Sequence, residues 1–451
     1  MGDMFGTDGV RGVANRELAP ELAFKLGRAG AHVLARDGSS TGVVIGKDTR
    51  LSGDMLESAM VAGICSAGVN VLQVGIMPTP AIAFLTRELR AAAGVMISAS
   101  HNPVEDNGIK FFGPSGYKLS EALEDEIEDL VRDNCAGVPS PVGKAVGHTF
   151  QVRDAADRYE RYACGTVNAD LKGLKIVVDC ANGAAYHVAP RIYRRMGAEV
   201  VPVFNHPDGL NINDGCGSTH PEALMEAVVA HGADLGLAHD GDADRVLAVD
   251  AGGRLVDGDQ IMLVCARHLK EKGMLTNNTV VVTVMSNLGL HLALKDAGIR
   301  VLKTRVGDRY VLEEMLRTGA VFGGEQSGHI IFLDLNRTGD GILTALQLLS
   351  VMQASRQSLE ELAGRMERLP QLLENIPVAD KQAVMDSPVL AEAIAEEEKM
   401  LNGTGRILVR PSGTEPLVRV MVEGRNEKQL QEVTGRLAKV IKERIITGGE
   451  V

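Results

Sequence analysis

Two loops carry the residue types that do chemistry. Ser98-Ala99-Ser100-His101-Asn102-Pro103 sets a serine and a histidine directly after the apolar run Gly94-Val95-Met96-Ile97. Asp240-Gly241-Asp242-Ala243-Asp244-Arg245 follows a second apolar run, Ala233 to Ala238. One loop offers a hydroxyl nucleophile and the other a cluster of hard oxygen donors. A hydroxyl reacts only when a base or metal activates it, so the pair points to metal-assisted phosphoryl transfer through a phosphorylated Ser100. The three aspartates recur at every second residue, and an extended backbone would direct them to one side. Three adjacent anions repel unless a cation sits among them, and few hard donors favour Mg²⁺ over zinc. A calcium loop of the EF-hand type also opens Asp-x-Asp-x-Asp, but it needs glycine sixth and glutamate twelfth, where Arg245 and Ala251 stand. Each loop alone also has a plainer reading, Ser100 as a turn residue and the aspartates as a solvated acidic turn.

Other polar clusters accompany them. Lys110, in Asp106-Asn107-Gly108-Ile109-Lys110, is close enough to fold back as a proton-transfer group or phosphate clamp, or to be an ordinary solvated lysine. Glu325-Gln326-Ser327-Gly328-His329 groups a carboxylate, a hydroxyl and an imidazole on a glycine-flanked loop, a set suited to sugar hydroxyls. Arg305, Asp308 and Arg309 form a further group that on its own is also a surface salt-bridge set. The turn Arg410-Pro411-Ser412-Gly413-Thr414-Glu415-Pro416, with Arg419 beyond it, supplies donors suited to a phosphate. Gly42-Val43-Val44-Ile45-Gly46-Lys47-Asp48-Thr49 is one residue short of a P-loop and has an aspartate in the wrong place. No dinucleotide fingerprint follows a strand, so the phosphate comes from a sugar phosphate or from the enzyme itself.

The chain has 451 residues, 45% hydrophobic and 24% charged, which suits two to four globular domains. A net charge of -12 argues against nucleic acid or a membrane surface as partner, and 3% aromatic content without tryptophan argues against base stacking. Six cysteines without a Cys-x-x-Cys pair indicate neither a zinc site nor a disulfide framework, and a cytoplasmic location fits. The first residues carry no signal-like pattern, and no stretch approaches the length of a membrane span.

The elements that must position these loops repeat three times. A β-branched run (Gly42–Gly46, Leu174–Asp179, Thr279–Val284) leads to a helical stretch. A second run follows, each opened by a glycine that suits a left-handed helix end (Gly68, Gly197, Gly298). A reactive loop comes last: Ser98 to Pro103, His239 to Arg245, and Gly323 to His329. Such strands pair in parallel through right-handed crossovers, and ligands collect at their carboxyl ends. After about Pro370 the pattern becomes a strand (372–378), a helix (387–401), paired strands (406–410 and 417–423) and a last helix (427–446), a small α+β domain. The boundaries expected are 1–153, 154–255, 256–369 and 370–451.

With these four motifs in this order, the chain resembles the α-D-phosphohexomutases along essentially its whole length. Within them, Phe5-Gly6-Thr7-Asp8-Gly9, Ser98-Ala99-Ser100 and Gly324-Glu325-Gln326-Ser327 look like the glucosamine type. The resemblance implies an α/β fold of three similar α/β/α domains with mixed sheets, plus a C-terminal α+β domain of TATA-box-binding-protein-like form, around a central cleft. It implies one Mg²⁺ per chain, held by Asp240, Asp242, Asp244 and the phosphate on Ser100, with phosphorylation of Ser100 needed for activity. Arg245 would hold the transferring phosphate, and His101 would orient or stabilise charge. Lys110 and His329 would be candidates for proton transfer. Glu325 and Ser327 would bind sugar hydroxyls. Arg410, Ser412, Gly413, Thr414 and Arg419 would grip the non-reacting phosphate, with Thr7, Asp8, Gly9, Arg11 and Arg305 lining the same cleft. The implied substrate is a hexosamine phosphate, whose 6- and 1-phosphates interconvert through a 1,6-bisphosphate and feed UDP-N-acetylglucosamine and cell-wall precursors. A homodimer is also implied. Glucose- or mannose-phosphate mutases and a metal-dependent sugar phosphatase use similar loops, and a sugar-phosphate sensor would keep only the binding ones.

Overall fold

The apolar runs become the central strands of three sheets. The computed structural model describes residues 4–6, 8–36, 41–401, 404–412 and 416–446. Its first sheet holds β1 (Val10–Val13), β2 (Val43–Lys47), β3 (Val71–Ile76), β4 (Ala93–Ile97), β5 (Asp106–Phe112) and β6 (Thr149–Gln151), in the order β1-β5-β4-β2-β3-β6. The second holds β7 (Lys175–Asp179), β8 (Glu199–Val203), β9 (Leu235–His239), β10 (Val246–Asp250) and β11 (Leu255–Val256), in the order β11-β10-β9-β7-β8. The third is β13-β12-β14-β15, from β12 (Thr279–Thr283), β13 (Arg300–Thr304), β14 (Phe322–Gly324) and β15 (Ile330–Phe332).

The helices between them are α1 (Pro20–Leu34), α2 (Ser52–Ser66), α3 (Thr79–Glu88), α4 (Glu121–Arg132), α5 (Ala155–Cys164), α6 (Ala185–Arg195) and α7 (Glu222–His231). They continue with α8 (Gly258–Glu271), α9 (Leu288–Asp296), α10 (Asp308–Thr318), α11 (Gly341–Ser355) and α12 (Leu359–Ala363). Each sheet contains the same four-strand unit, β3-β2-β4-β5, β8-β7-β9-β10 and β13-β12-β14-β15. In each, three strands pair in parallel across helical connections, as expected, and the fourth returns antiparallel. The antiparallel return follows from length, because the reactive loop is too short for a crossover. Gly68, Gly197 and Gly298 take φ of +83°, +102° and +65°, the left-handed exits that glycine accommodates without a Cβ clash. Ile45, Val95, Leu56 and Met60 lie fully enclosed between the first sheet and its helices.

Contacts divide the chain into two units, Met1–Met285 with Gly298–Arg365, and Ser286–Ala297 with Met366–Val451. The second unit carries the antiparallel sheet β16-β18-β17, from β16 (Gln371–Pro377), β17 (Gly405–Pro411) and β18 (Leu417–Gly424). Its helices are α9, α13 (Lys381–Met385), α14 (Pro388–Leu401) and α15 (Glu427–Lys439). Ile376, Val418, Val420, Leu430, Val433 and Leu437 form its core. The short α13 escapes a periodicity reading, yet Asp380 starts it by accepting from the Gln382 and Ala383 N–H groups. The last helix ends at Lys439 and passes into a wider π turn over Val440–Ile446, where a single helix to 446 is expected.

Candidate active site

β4 delivers the chain to Ser98, whose Oγ donates to Asp48 Oδ2 at 2.6 Å and accepts from the Ser100 N–H at 2.9 Å. This tight turn puts Ser100 at φ +53°. A side-chain-bearing residue holds that conformation at a cost of about 1 kcal/mol or more, so surrounding contacts must fix it. Buried Ser100 Oγ donates to Asp240 Oδ2 at 2.6 Å, with His101 Nδ1 at 3.3 Å. Burial, then the Arg245 and Arg11 charges, pull the His101 imidazole down to about 4, so it is neutral at pH 7.

The ligand atoms of Asp240, Asp242 and Asp244 lie within 4.8 Å of one another, all buried. An extended backbone does not bring them there. Residues 241–244 form a turn, with Ala243 at φ +56°, and the curvature gathers the carboxylates. Gly241 is needed within it, since a Cβ there would collide with the Ser100 carbonyl oxygen and sit 2.9 Å from Asn213 Nδ2. Burial, then Asp244 and Asp242, push the Asp240 carboxyl well above its ordinary range, crowding that the Arg245 charge only partly offsets. Asp242 Oδ2 accepts from Thr79 Oγ1 at 2.5 Å and Lys110 Nζ at 2.7 Å. The Oδ1 atoms of Asp242 and Asp244 are buried without a hydrogen-bond partner. Bare hard oxygens beside a crowded carboxylate fit a hard dication such as Mg²⁺. Burial alone would lower the Lys110 pKa, but Asp242, Asp8 and Asp244 outweigh it and hold the ammonium charged.

A cavity of about 220 Å³ opens beside this cluster, lined by Asp8, Arg11, His101, Asp244, Arg245, Val306, Gly307, Asp308, Glu325 and His329. Arg245 donates its backbone N–H to Asp240 Oδ1 at 3.2 Å, and its Nε lies 3.8 Å from Asp244 Oδ1. Lys118 bridges Asp8 at 2.8 Å and Asp308 at 2.5 Å across the cavity wall. His329 Nδ1 is 3.4 Å from Asp244 Oδ2 and Nε2 is 3.7 Å from Asp308 Oδ2. Burial works against its charge, but Asp244, Asp308 and Glu325 raise the imidazole to about 9. The Gly339 N–H, 3.2 Å from Nε2, competes for that lone pair and tempers the rise. The second and third loops are stitched together: Arg245 and His329 form a backbone bridge, and the Val246 N–H donates to the Gly328 carbonyl at 3.2 Å.

The structure therefore gathers Ser100, His101, Lys110, Arg11, Asp240, Asp242, Asp244, Arg245, Glu325 and His329 around one cleft. Glu325 Oε1 accepts from the Gly307 N–H at 3.1 Å, and Ser327 Oγ is buried without a hydrogen-bond partner. Arg305 sits elsewhere: its guanidinium stacks 4.0 Å from the Tyr310 ring, in a pocket shared with Lys303, Thr304 and Arg317. In the second unit, Arg410 and Arg419 face each other across β17 and β18, and burial followed by the Arg419 charge lowers the Arg410 pKa. Two like charges opposed on a sheet suit an anion between them. The Ser412 N–H donates to the Leu417 carbonyl at 2.9 Å, and its carbonyl accepts from Lys381 Nζ at 2.7 Å. Thr7, Gly413 and Thr414 lie outside the described residues.

Several residues of the site carry no sequence signal of their own. Asp48 belongs to the failed P-loop match, where the misplaced aspartate is the feature that mattered, and Arg50 stands just beyond that stretch. Asn213 reaches the Ser100 carbonyl from the second repeat at 2.9 Å. Gly339 and Gly341 pack so tightly that a Cβ would strike the His329 ring or the Arg245 carbonyl, and no motif in the sequence singles them out.

The chain matches descriptions of phosphoglucomutase/phosphomannomutase alpha/beta/alpha domains I, II and III over residues 2–136, 158–253 and 257–369, and of the C-terminal domain over 373–440. It is 75% identical over 443 residues to a phosphoglucosamine mutase of Pelotomaculum thermopropionicum, covering 98% of this chain and 100% of that one. A phosphoglucosamine mutase of Desulforamulus reducens is 66% identical over 441 residues, covering 98% and 99%. A solved phosphoglucomutase/phosphomannomutase family protein from Burkholderia thailandensis superposes with a TM-score of 0.80 at 25% identity, covering 98% of each chain.

Proposed function

The chain belongs to the phosphoglucomutase/phosphomannomutase family, and from that premise we propose that it is an isomerase interconverting glucosamine 6-phosphate and glucosamine 1-phosphate through a phosphorylated Ser100. The observation that carries this reading is the Ser100 hydroxyl, 2.6 Å from Asp240 within a trio of converging aspartates. The phosphoserine gives its phosphoryl group to one end of the sugar, forming a 1,6-bisphosphate. The sugar turns over, and its other phosphate returns to Ser100.

Asp240, Asp242 and Asp244 would hold Mg²⁺, which when bound supplies positive charge to the transferring oxygens. Arg245 and Arg11 face the cavity as phosphate partners, and neutral His101 sits beside Ser100 Oγ. Lys110, fixed as an ammonium by Asp242 and Asp8, serves as a charge clamp in preference to a base. His329, whose surroundings favour its protonated form, is the better proton donor to the sugar oxygen. Glu325 and the unsatisfied Ser327 hydroxyl read sugar hydroxyls. Arg410, Ser412, Gly413, Thr414 and Arg419 take the non-reacting phosphate, and Thr7 and Arg11 bind substrate. The divisions 1–153, 154–255, 256–369 and 370–451 go with this assignment, as do a cytoplasmic location and a homodimer. Among the described residues, no helix is long and apolar enough to cross a membrane.

A coupled assay with glucosamine, glucose and mannose phosphates in Mg²⁺ tests substrate and reaction together. Fastest isomerisation of glucosamine phosphate, lost in Ser100→Ala, is the expected outcome. Release of inorganic phosphate without isomerisation would instead mark a phosphatase.

A further inference from the structure

Resting on the reading of Ser100 as phosphoryl carrier, we infer that Arg50 and Asn213 are its positioning residues, a two-sided clamp that holds the serine in its left-handed conformation. Neither touches the reacting atoms. Both act through the backbone.

The Arg50 side chain is fully enclosed and its five N–H groups are all engaged. Nε donates to Asp48 Oδ2 at 2.9 Å, and Nη1 to the carbonyls of Pro103 and, at 3.0 Å, Asp106. Nη2 donates to the carbonyls of Ser100 at 3.0 Å and Asn102 at 2.8 Å. One guanidinium thus spans the loop between β4 and β5 through four carbonyls. Asp48 fixes the guanidinium in turn and also accepts from Ser98 Oγ, so both ends of the turn refer to one carboxylate. From the second repeat, Asn213 Nδ2 donates to the same two carbonyls, Ser100 at 2.9 Å and Asn102 at 3.1 Å.

Four N–H bonds therefore converge on two oxygens, two from each partner. A carbonyl oxygen has two lone pairs, and these partners occupy both on Ser100. With the carbonyl held, the peptide plane after Ser100 cannot turn about ψ, and with the Ser100 N–H bonded to Ser98 Oγ at 2.9 Å the plane before it is held too, so φ +53° persists despite its intrinsic cost. Releasing the carbonyl lets the residue relax toward the right-handed or extended regions, which swings Cβ and Oγ away from Asp240. Lysine at position 50 keeps the charge opposite Asp48 but lacks the planar fork that reaches four carbonyls.

The test follows phosphoryl uptake directly. Full-length protein with Mg²⁺ is mixed with glucose 1,6-bisphosphate, and phosphate on Ser100 is timed by mass spectrometry. In that step the Ser100 Oγ–P bond forms as an ester O–P bond of the bisphosphate breaks, and the serine proton ends on the freed sugar hydroxyl. Uptake is expected to slow about tenfold in Asn213→Ala and about 100-fold in Arg50→Lys, since small misplacements of a reacting atom cost that much. The bisphosphate concentration for half-maximal rate and the thermal midpoint of Asn213→Ala should stay near the unaltered protein's, a split that mere loss of packing would not give. Asn213→Asp, which turns a carboxylate oxygen toward the two carbonyls, should be slow as well and serves if Arg50→Lys does not fold. Wild-type uptake rates in folded Asn213→Ala and Asn213→Asp would overturn the clamp alone. Unaltered protein that never gains phosphate on Ser100 would overturn the carrier reading, and the clamp with it.

Discussion

Asp242→Asn probes the cation site most directly. Asp242 Oδ2 is saturated by Thr79 and Lys110, while Oδ1 is bare and buried, so the substitution keeps shape and removes one negative charge. Two unit charges about 4 Å apart interact by about 4 kcal/mol at an effective dielectric constant near 20, and a dication doubles this to about 8. The asparagine carbonyl and a water recover part of it. If half is recovered, about 4 kcal/mol remains, or about three decades in Mg²⁺ affinity. Calorimetric titration of Mg²⁺ and the Mg²⁺ dependence of coupled isomerisation read this out. Half-saturation should move from its native value by about 1,000-fold, with no measurable turnover at about 1 mM Mg²⁺. A variant whose Mg²⁺ half-saturation and rate both stay near native would refute the assignment of this carboxylate to the metal. A fall in rate with unmoved Mg²⁺ dependence would refute it too, pointing to Lys110, which the substitution leaves with Asp8 at 3.3 Å.

Three further outcomes follow from the geometry. Ser100→Ala should abolish isomerisation yet bind Mg²⁺ within about threefold of native, because the aspartates supply most of the ligand charge. Loss of calorimetric Mg²⁺ binding would contradict that. If protonated His329 is the proton donor, turnover has an alkaline limb that falls as pH rises through a midpoint at or below about 9, since a bound cation draws on the same Asp244 charge; a His329→Asn profile retaining that limb would assign it elsewhere. Asp340, raised by burial to about 6, binds a proton more readily folded than unfolded. Its penalty is absent below pH 4, grows between pH 4 and 6, and reaches about 3 kcal/mol above that window. The thermal midpoint of Asp340→Asn relative to the native protein should therefore climb as pH rises from 4 to 6, and a difference independent of pH would rule this out.

What could be read from the residues alone was what local pattern encodes. The three strand–loop units follow from β-branched runs and the glycines at 68, 197 and 298, and the aspartate loop is written in six consecutive residues. The mechanism gathering the aspartates was not readable, because Ala243 at positive φ leaves no mark in a composition of acids and small residues. Nor was Lys118, which meets Asp8 and Asp308 only once the first and third repeats fold together. Arg305 shows the converse. The family resemblance grouped it with the cleft residues, whereas in the structure its guanidinium lies against the Tyr310 ring.

The backbone stitch between Arg245 and His329 has a consequence for how such an enzyme diversifies. The loop proposed to inspect the sugar is tied by this bridge to the loop proposed to anchor the cation, so a change at Glu325 or Ser327 that admits a bulkier ring is expected to displace Asp244 as well. Selectivity and pace are then one adjustable quantity in this chain, and lineages that broaden their diet should be found to have slowed.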